Sequence, residues 1–155
     1  MHGHKLMNND NSLQNLITNF NEAFSNQRLD EVMSYFADEC EFNDFTGRSI
    51  RGKRRIRKIF ALGFDGALGR MVFHEKSMMV DEKNREVSFM WTCEHLLDGS
   101  ASPAGIAKVS HVFLRLILGK KFSWDGIDHF KFDENYKIVS KKTYGKFFLP
   151  TVKRG

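Results

Sequence analysis

Trp124-Asp125-Gly126-Ile127-Asp128-His129-Phe130-Lys131-Phe132-Asp133 alternates with the two-residue period of a β-strand, so Trp124, Asp128, Phe130 and Phe132 fall on one face. That face is aromatic apart from Asp128. An ionised carboxylate there is costly unless it is paired or hydrogen-bonded, and a carboxyl held in a cavity is a candidate acid–base group. The turn Asp133-Glu134-Asn135 follows, then a strand-like run over 137–149. Upstream, 71–81 and 85–97 alternate in the same way around Asp81-Glu82-Lys83-Asn84. Strands joined by such short turns run antiparallel, so the C-terminal half predicts a sheet of long antiparallel strands.

One segment interrupts that pattern. Between 98 and 121, Ile106, Val109, Val112, Phe113, Leu116 and Ile117 recur at helical spacing. Ser102-Pro103 supplies a cap and first position, and Gly119 an ending, so a helix over 103–118 is predicted. The N-terminal half is helical. Leu13, Leu16, Ile17, Phe20 and Phe24 mark a first helix capped by Asp10 or Ser12. A short second helix carries Leu29, Val32, Met33 and Phe36 and stops near Ala37-Asp38-Glu39. A brief strand comes next, then a basic helix over 52–64.

The brief strand holds the second candidate carboxyl, in Glu41-Phe42-Asn43-Asp44-Phe45-Thr46-Gly47. Alternation puts Asp44 on the face of Phe42, where desolvation would raise an unpaired acid's pKa. For each aspartate the plain alternative is a strand-end or turn residue bonded to the backbone.

At 155 residues, 41% hydrophobic and 13% aromatic, the chain suits one domain, expected over 10–150 between a flexible leader at 1–9 and a basic tail at 151–155. No apolar run has membrane-spanning length and the N-terminus lacks a signal-peptide core, so a cytoplasmic protein without a membrane partner is expected. Cys40 and Cys93 read as free buried thiols. Much of the net charge of +5 comes from Arg48, Arg51, Lys53, Arg54, Arg55, Arg57 and Lys58. Ile56, Ile59, Phe60 and Phe64 recur at helical spacing among and beyond them, which makes the charges the outer face of an amphipathic helix and not a nucleic-acid site. His2-Gly3-His4 has ligand-like spacing without a third ligand, and His74, His95, His111 and His129 are scattered, so no metal is expected. Phosphate-loop, dinucleotide and serine-elbow motifs are absent.

Helix, helix, short strand, helix and then long antiparallel strands is the order of the nuclear transport factor 2-like fold, in which a curved sheet wraps helices into a cone. Within it the chain resembles the ketosteroid isomerase and SnoaL-like polyketide cyclase group. The resemblance rests on Tyr35-Phe36-Ala37-Asp38-Glu39, Asn43-Asp44-Phe45-Thr46-Gly47, Ile50-Arg51-Gly52-Lys53-Arg54-Arg55-Ile56-Arg57 and Ile127-Asp128-His129-Phe130-Lys131-Phe132-Asp133. It implies an α+β fold, with the 103–118 helix as an insert. It further implies a conical pocket for a hydrophobic small molecule, a homodimer, and proton transfer next to a carbonyl without a cofactor. Asp44 matches the general base and Asp128 the hydrogen-bond-donating acid.

Phe20 and Phe60 replace the tyrosines of that group, and phenylalanine cannot donate a hydrogen bond. Loss of one oxyanion donor costs about 2.7 to 4 kcal/mol of transition-state stabilisation, so isomerisation at an isomerase-like rate is not expected. Tyr144, His95, Trp91 and Trp124 are the candidate substitute donors, and Phe130 a pocket wall. A non-catalytic ligand-binding or dimerisation module using the outer sheet face is the alternative.

Overall fold

The structure, a computed structural model, describes residues 12–146. The expected leader at 1–9, the tail at 151–155, His2, His4, Asp10 and the strand end at 147–149 lie outside the described residues.

Three helices precede the long strands. Helix α1 (Leu13–Ser25) starts where the Ser12 side chain accepts from the Asn15 N–H at 3.2 Å, and its stripe Leu13, Ile17, Phe20 and Ala23 is buried. Helix α2 (Leu29–Ser34) is shorter than its apolar spacing suggests. Phe36 belongs instead to strand β1 (Phe36–Asn43), because it pairs with Ile138 and the Ile138 N–H donates to Tyr35 O at 2.8 Å. Cross-strand pairing overrides local helical spacing here. Strand β2 (Ser49–Arg51) returns antiparallel to β1. Helix α3 (Lys53–Gly63) buries Ile56 and Phe60 and leaves its cations outward, with Arg57 paired to Asp30 at 2.7 Å.

Strands β3 (Arg70–Asp81), β4 (Glu86–Leu96), β5 (Lys121–Phe132) and β6 (Ile138–Gly145) pair antiparallel in succession, as the turns predict. The parallel pairing of β6 with β1 was not legible in the sequence. The result is a curved, unclosed α+β sheet in the order β2-β1-β6-β5-β4-β3, with α1 and α3 on its concave side. The inserted helix α4 (Gly105–Leu118) forms between β4 and β5. It begins two residues after the expected first position, with Ala104 as an N-cap that makes no side-chain bond.

Aromatic rings fill the cone. Phe20 lies 5.5 to 6.1 Å from Phe24, Tyr35, Phe36 and Phe130, and Phe60 lies 5.2 to 5.8 Å from Phe24, Phe36 and Phe42. Each fully buried side chain of this size contributes about 1.5 to 3 kcal/mol of hydrophobic stabilisation. Trp91 and Trp124 lie 4.8 Å apart, over the cross-strand pair Gly126 and Gly145. A Cβ on Gly126 would sit 2.5 Å from the Trp91 ring, so this stretch of sheet can take its two indoles only where side chains are missing.

Candidate functional site

Asp44 stands one residue beyond the end of β1 and is buried like Phe42, in step with the alternation of the strand. β1 ends at Asn43, and the chain turns, with Asp44 N–H donating to Arg48 O and Gly47 N–H to Asp44 O. Asp44 Oδ1 accepts from the Thr46 hydroxyl at 2.5 Å and from the Thr46 and Arg48 N–H groups at 2.9 and 3.1 Å. Oδ2 accepts from Arg48 Nε and lies 3.2 Å from Arg48 Nη2. Burial pushes this carboxyl up, but the hydrogen bonds from Thr46 and Arg48 and the Arg48 charge outweigh it and hold it below the usual carboxylate range. The expected desolvation is present. Pairing reverses its outcome.

A carboxyl held below its ordinary value stabilises the fold wherever the unfolded chain's carboxylate is ionised, and that contribution is lost as pH falls through the folded-state value. Asp44→Asn is therefore expected to be less stable than the parent at about pH 7, with the gap closing by about pH 2. Denaturant unfolding at both pH values checks this. A gap that persists unchanged into acid means that the charge on Asp44 is not what stabilises the turn.

Asp128 keeps its predicted face, among Trp124, Phe130 and Phe132, and is buried. Its Oδ1 lies 2.7 Å from Lys141 Nζ and accepts from the Thr143 hydroxyl at 2.6 Å. Lys141 Nζ also donates to Thr143 Oγ1 at 2.8 Å and stands 5.2 and 5.4 Å from the ring centres of Phe42 and Phe130. The cation is thus held by one carboxylate, one hydroxyl and two aromatic rings. Burial pulls the Lys141 ammonium below its ordinary value, opposed by the Asp128 charge and hydrogen bond. Neither Lys141 nor Thr143 was singled out by the sequence.

The other candidates divide between core and rim. His95 is buried, with Nδ1 3.0 Å from Leu68 O and Nε2 accepting from Trp124 Nε1 at 2.8 Å, so both ring nitrogens are engaged within the protein. Burial lowers its pKa, which favours the neutral ring. Cys93 lies beside it, its thiol pushed up to about 12 by burial. Cys40 is buried too, its thiol pushed up to about 11. Trp91 is buried, and its Nε1 has no hydrogen-bond partner among the described residues. Phe20, Phe60 and Phe130 are buried in the ring cluster. Tyr144 points to the outer side and is exposed, bordering the rim.

A cavity of about 270 Å³ opens at that rim, lined by Asp44, Phe45, Thr143 and Tyr144 together with Asn43, Gly47, Lys142 and Gly145. Asp44 and Thr143 border it, and Asp128 is not among its lining residues. Thr143 is the link between them: one face of its hydroxyl group serves the buried pair, and the residue itself walls the opening.

The model of the SnoaL-like domain matches residues 17–141, which takes in both aspartates and Lys141. The chain belongs to the SnoaL-like family. Solved structures share the fold of this SnoaL-like domain across nearly its whole length. The epoxide hydrolase/cyclase-like enzyme SalBIII, of pyran ring formation in polyether salinomycin, superposes with a TM-score of 0.66 at 11% identity, over 90% of this chain and 94% of its own. A protein assigned to the polyketide cyclases from Xanthomonas campestris pv. campestris gives 0.64 at 13% identity, over 85% and 88%. One assigned to the SnoaL-like polyketide cyclases from Shewanella putrefaciens CN-32 gives 0.65 at 14% identity, over 86% and 79%. Likeness at this level of identity shows the fold and leaves the chemistry to the side chains. No curated protein matches the sequence of this SnoaL-like domain. None of its helices, among the described residues, is long and apolar enough to cross a membrane.

Proposed function

We propose that this SnoaL-like domain binds a hydrophobic small molecule at the rim opening and moves a proton there, next to a carbonyl group, with Asp44 as the base. The observation that carries this reading is that Asp44 is an ionised carboxylate bordering an opening, whereas Asp128 is sealed behind Thr143. Asp44 would take a proton from the carbon beside the carbonyl and return it to a neighbouring carbon, so the step balances without a cofactor. Lys142, which lines the same opening, is the cation to favour the enolate oxygen in place of the absent tyrosines. The Asp128–Lys141 pair serves as a positioning element that orients the Thr143 wall.

Two magnitudes limit the activity. A cavity of about 270 Å³ is just under the roughly 300 to 1,000 Å³ of typical ligand sites, so it takes part of a ligand, with Phe45 and Tyr144 as its apolar walls. A base held below its ordinary range has less driving force for proton abstraction, so turnover is expected to be slow.

A second reading is favoured by the filled cone: a non-catalytic ligand-binding or dimerisation module, since Phe20, Phe60 and Phe130 occupy the volume where a ligand would lie. Enone isomerisation by the wild type and Asp44→Asn, with native mass spectrometry of the same ligands, separates the two. Proton transfer predicts a loss of about 10² to 10⁴-fold in Asp44→Asn with binding retained. Binding without turnover in either protein replaces it with the non-catalytic reading.

A further inference from the structure

Helix α4 carries two apolar faces on opposite sides. One is turned to the body: His111 is buried with Nδ1 3.0 Å from Gly66 O, and Ala107, Leu114 and Leu118 are half-buried beside it. Among the described elements α4 packs against β5 alone. The other face holds Ile106, Val109, Val112, Phe113, Leu116 and Ile117, each between 50% and 87% exposed. A helix that is apolar on both sides is a buried helix, so something covers the outer face.

The area of this face indicates what covers it. At roughly 150 to 200 Å² for each large apolar side chain, the exposed fractions amount to about 600 to 800 Å². The largest apolar patch of an ordinary monomer is about 300 to 600 Å². A stable protein–protein interface takes about 800 Å² from each partner. The pattern is also self-complementary. Ile106, Val109, Phe113 and Leu116 follow the i, i+3, i+7, i+10 spacing of a two-helix seam. Val109, Val112, Phe113 and Leu116, with the Lys108 stem, bound a groove of about 420 Å³ that can receive a side chain from a facing helix. Of the charges of α4, Arg115 lies on the flank away from that seam, and Lys108 borders the groove, where its stem can pack while its ammonium reaches solvent, so two copies can meet without burying like charges together.

The competing surfaces fit less well. The outer sheet face is laced by its own pairs: Glu86 with His129 and Lys131, Asp125 with Thr92 and Lys76, Glu94 with Lys121. A helix lying in a membrane surface turns a strongly charged face to water, whereas the inner face of α4 is apolar and docked on the protein.

We infer that α4 is the homodimer interface, pairing with the same helix of a second copy about a two-fold axis, so that Ile106 of one protomer meets Leu116 of the partner subunit. This is independent of the chemistry at the rim. Sedimentation equilibrium of the full chain at micromolar concentration tests it. The wild type is expected at twice the 18.0 kDa chain mass. Leu116→Asp and Phe113→Asp, with unchanged circular dichroism, are expected to dissociate at least about thirtyfold more readily, as loss of an interface hot spot does. Ile127→Asp, on the outer sheet face, is expected to stay dimeric. A dimer that survives both α4 substitutions, or that is lost in Ile127→Asp and kept in Leu116→Asp, overturns the inference. A monomeric wild type overturns it as well. Flotation with phosphatidylglycerol vesicles and removal of residues 1–11 or 147–155 then tell whether lipid or a terminal segment covers the helix.

Discussion

Lys141→Met is expected to lower the stability of the fold by about 3 to 5 kcal/mol, the cost of breaking a buried ion pair from one side. Lys141 and Asp128 are both almost wholly enclosed, 2.7 Å apart. Removing the ammonium leaves the carboxylate with the Thr143 hydroxyl as its remaining partner in an aromatic surround. Asp128→Asn combined with Lys141→Met removes both charges, and replacing a buried pair by neutral groups of similar size is often close to neutral. The double variant is therefore expected to recover most of the loss, and a double-mutant cycle in urea measures the coupling. A loss below about 1 kcal/mol in the single variant would place the pair with solvent-exposed bridges and remove it as an organising element of the site.

Phe20→Ala is expected to cost about 3 to 5 kcal/mol, because it empties the centre of a ring cluster and the surrounding rings relax only partly into the space. Phe20 touches Phe24, Tyr35, Phe36 and Phe130 at once, from both the helices and the sheet. The family resemblance makes Phe20→Tyr the way to restore an oxyanion donor. The packing argues against that result: Phe20 is a filled core position and not a cavity wall, so the added hydroxyl is expected to cost about 1 to 3 kcal/mol by overpacking, with no gain in enone isomerisation. Urea unfolding of both variants checks this. If Phe20→Tyr is as stable as the parent, the cone has room that the ring distances do not indicate, and a ligand can reach it.

Much of this protein was decided by its local sequence. Period-two alternation with short turns is enough to specify four long antiparallel strands, because side-chain direction in a strand depends on parity alone. The stripe Leu13, Ile17, Phe20 and the apolar spacing of α4 specified those helices, since a helix must turn such a face to some core. The apolar surroundings of Asp128 were legible in the same way. The candidate site was not, because alternation does not name the partners of a residue past a strand end, and it fails where a strand bulges. β1 stops at Asn43, so Asp44 joins a turn whose N–H groups, with Arg48, keep it ionised. In β6 the pairing shifts register between Lys131 and Phe132, where Ile138 and Ser140 become successive partners and Val139 is an extra residue. Unbroken alternation from Ile138 would carry Tyr144 into the cone. The bulge reverses it, turning Lys141 and Thr143 inward and Tyr144 outward. A register shift is set by the strands on either side, and by no residue within the eight of β6, so only the tertiary structure could decide which of two adjacent lysines meets Asp128.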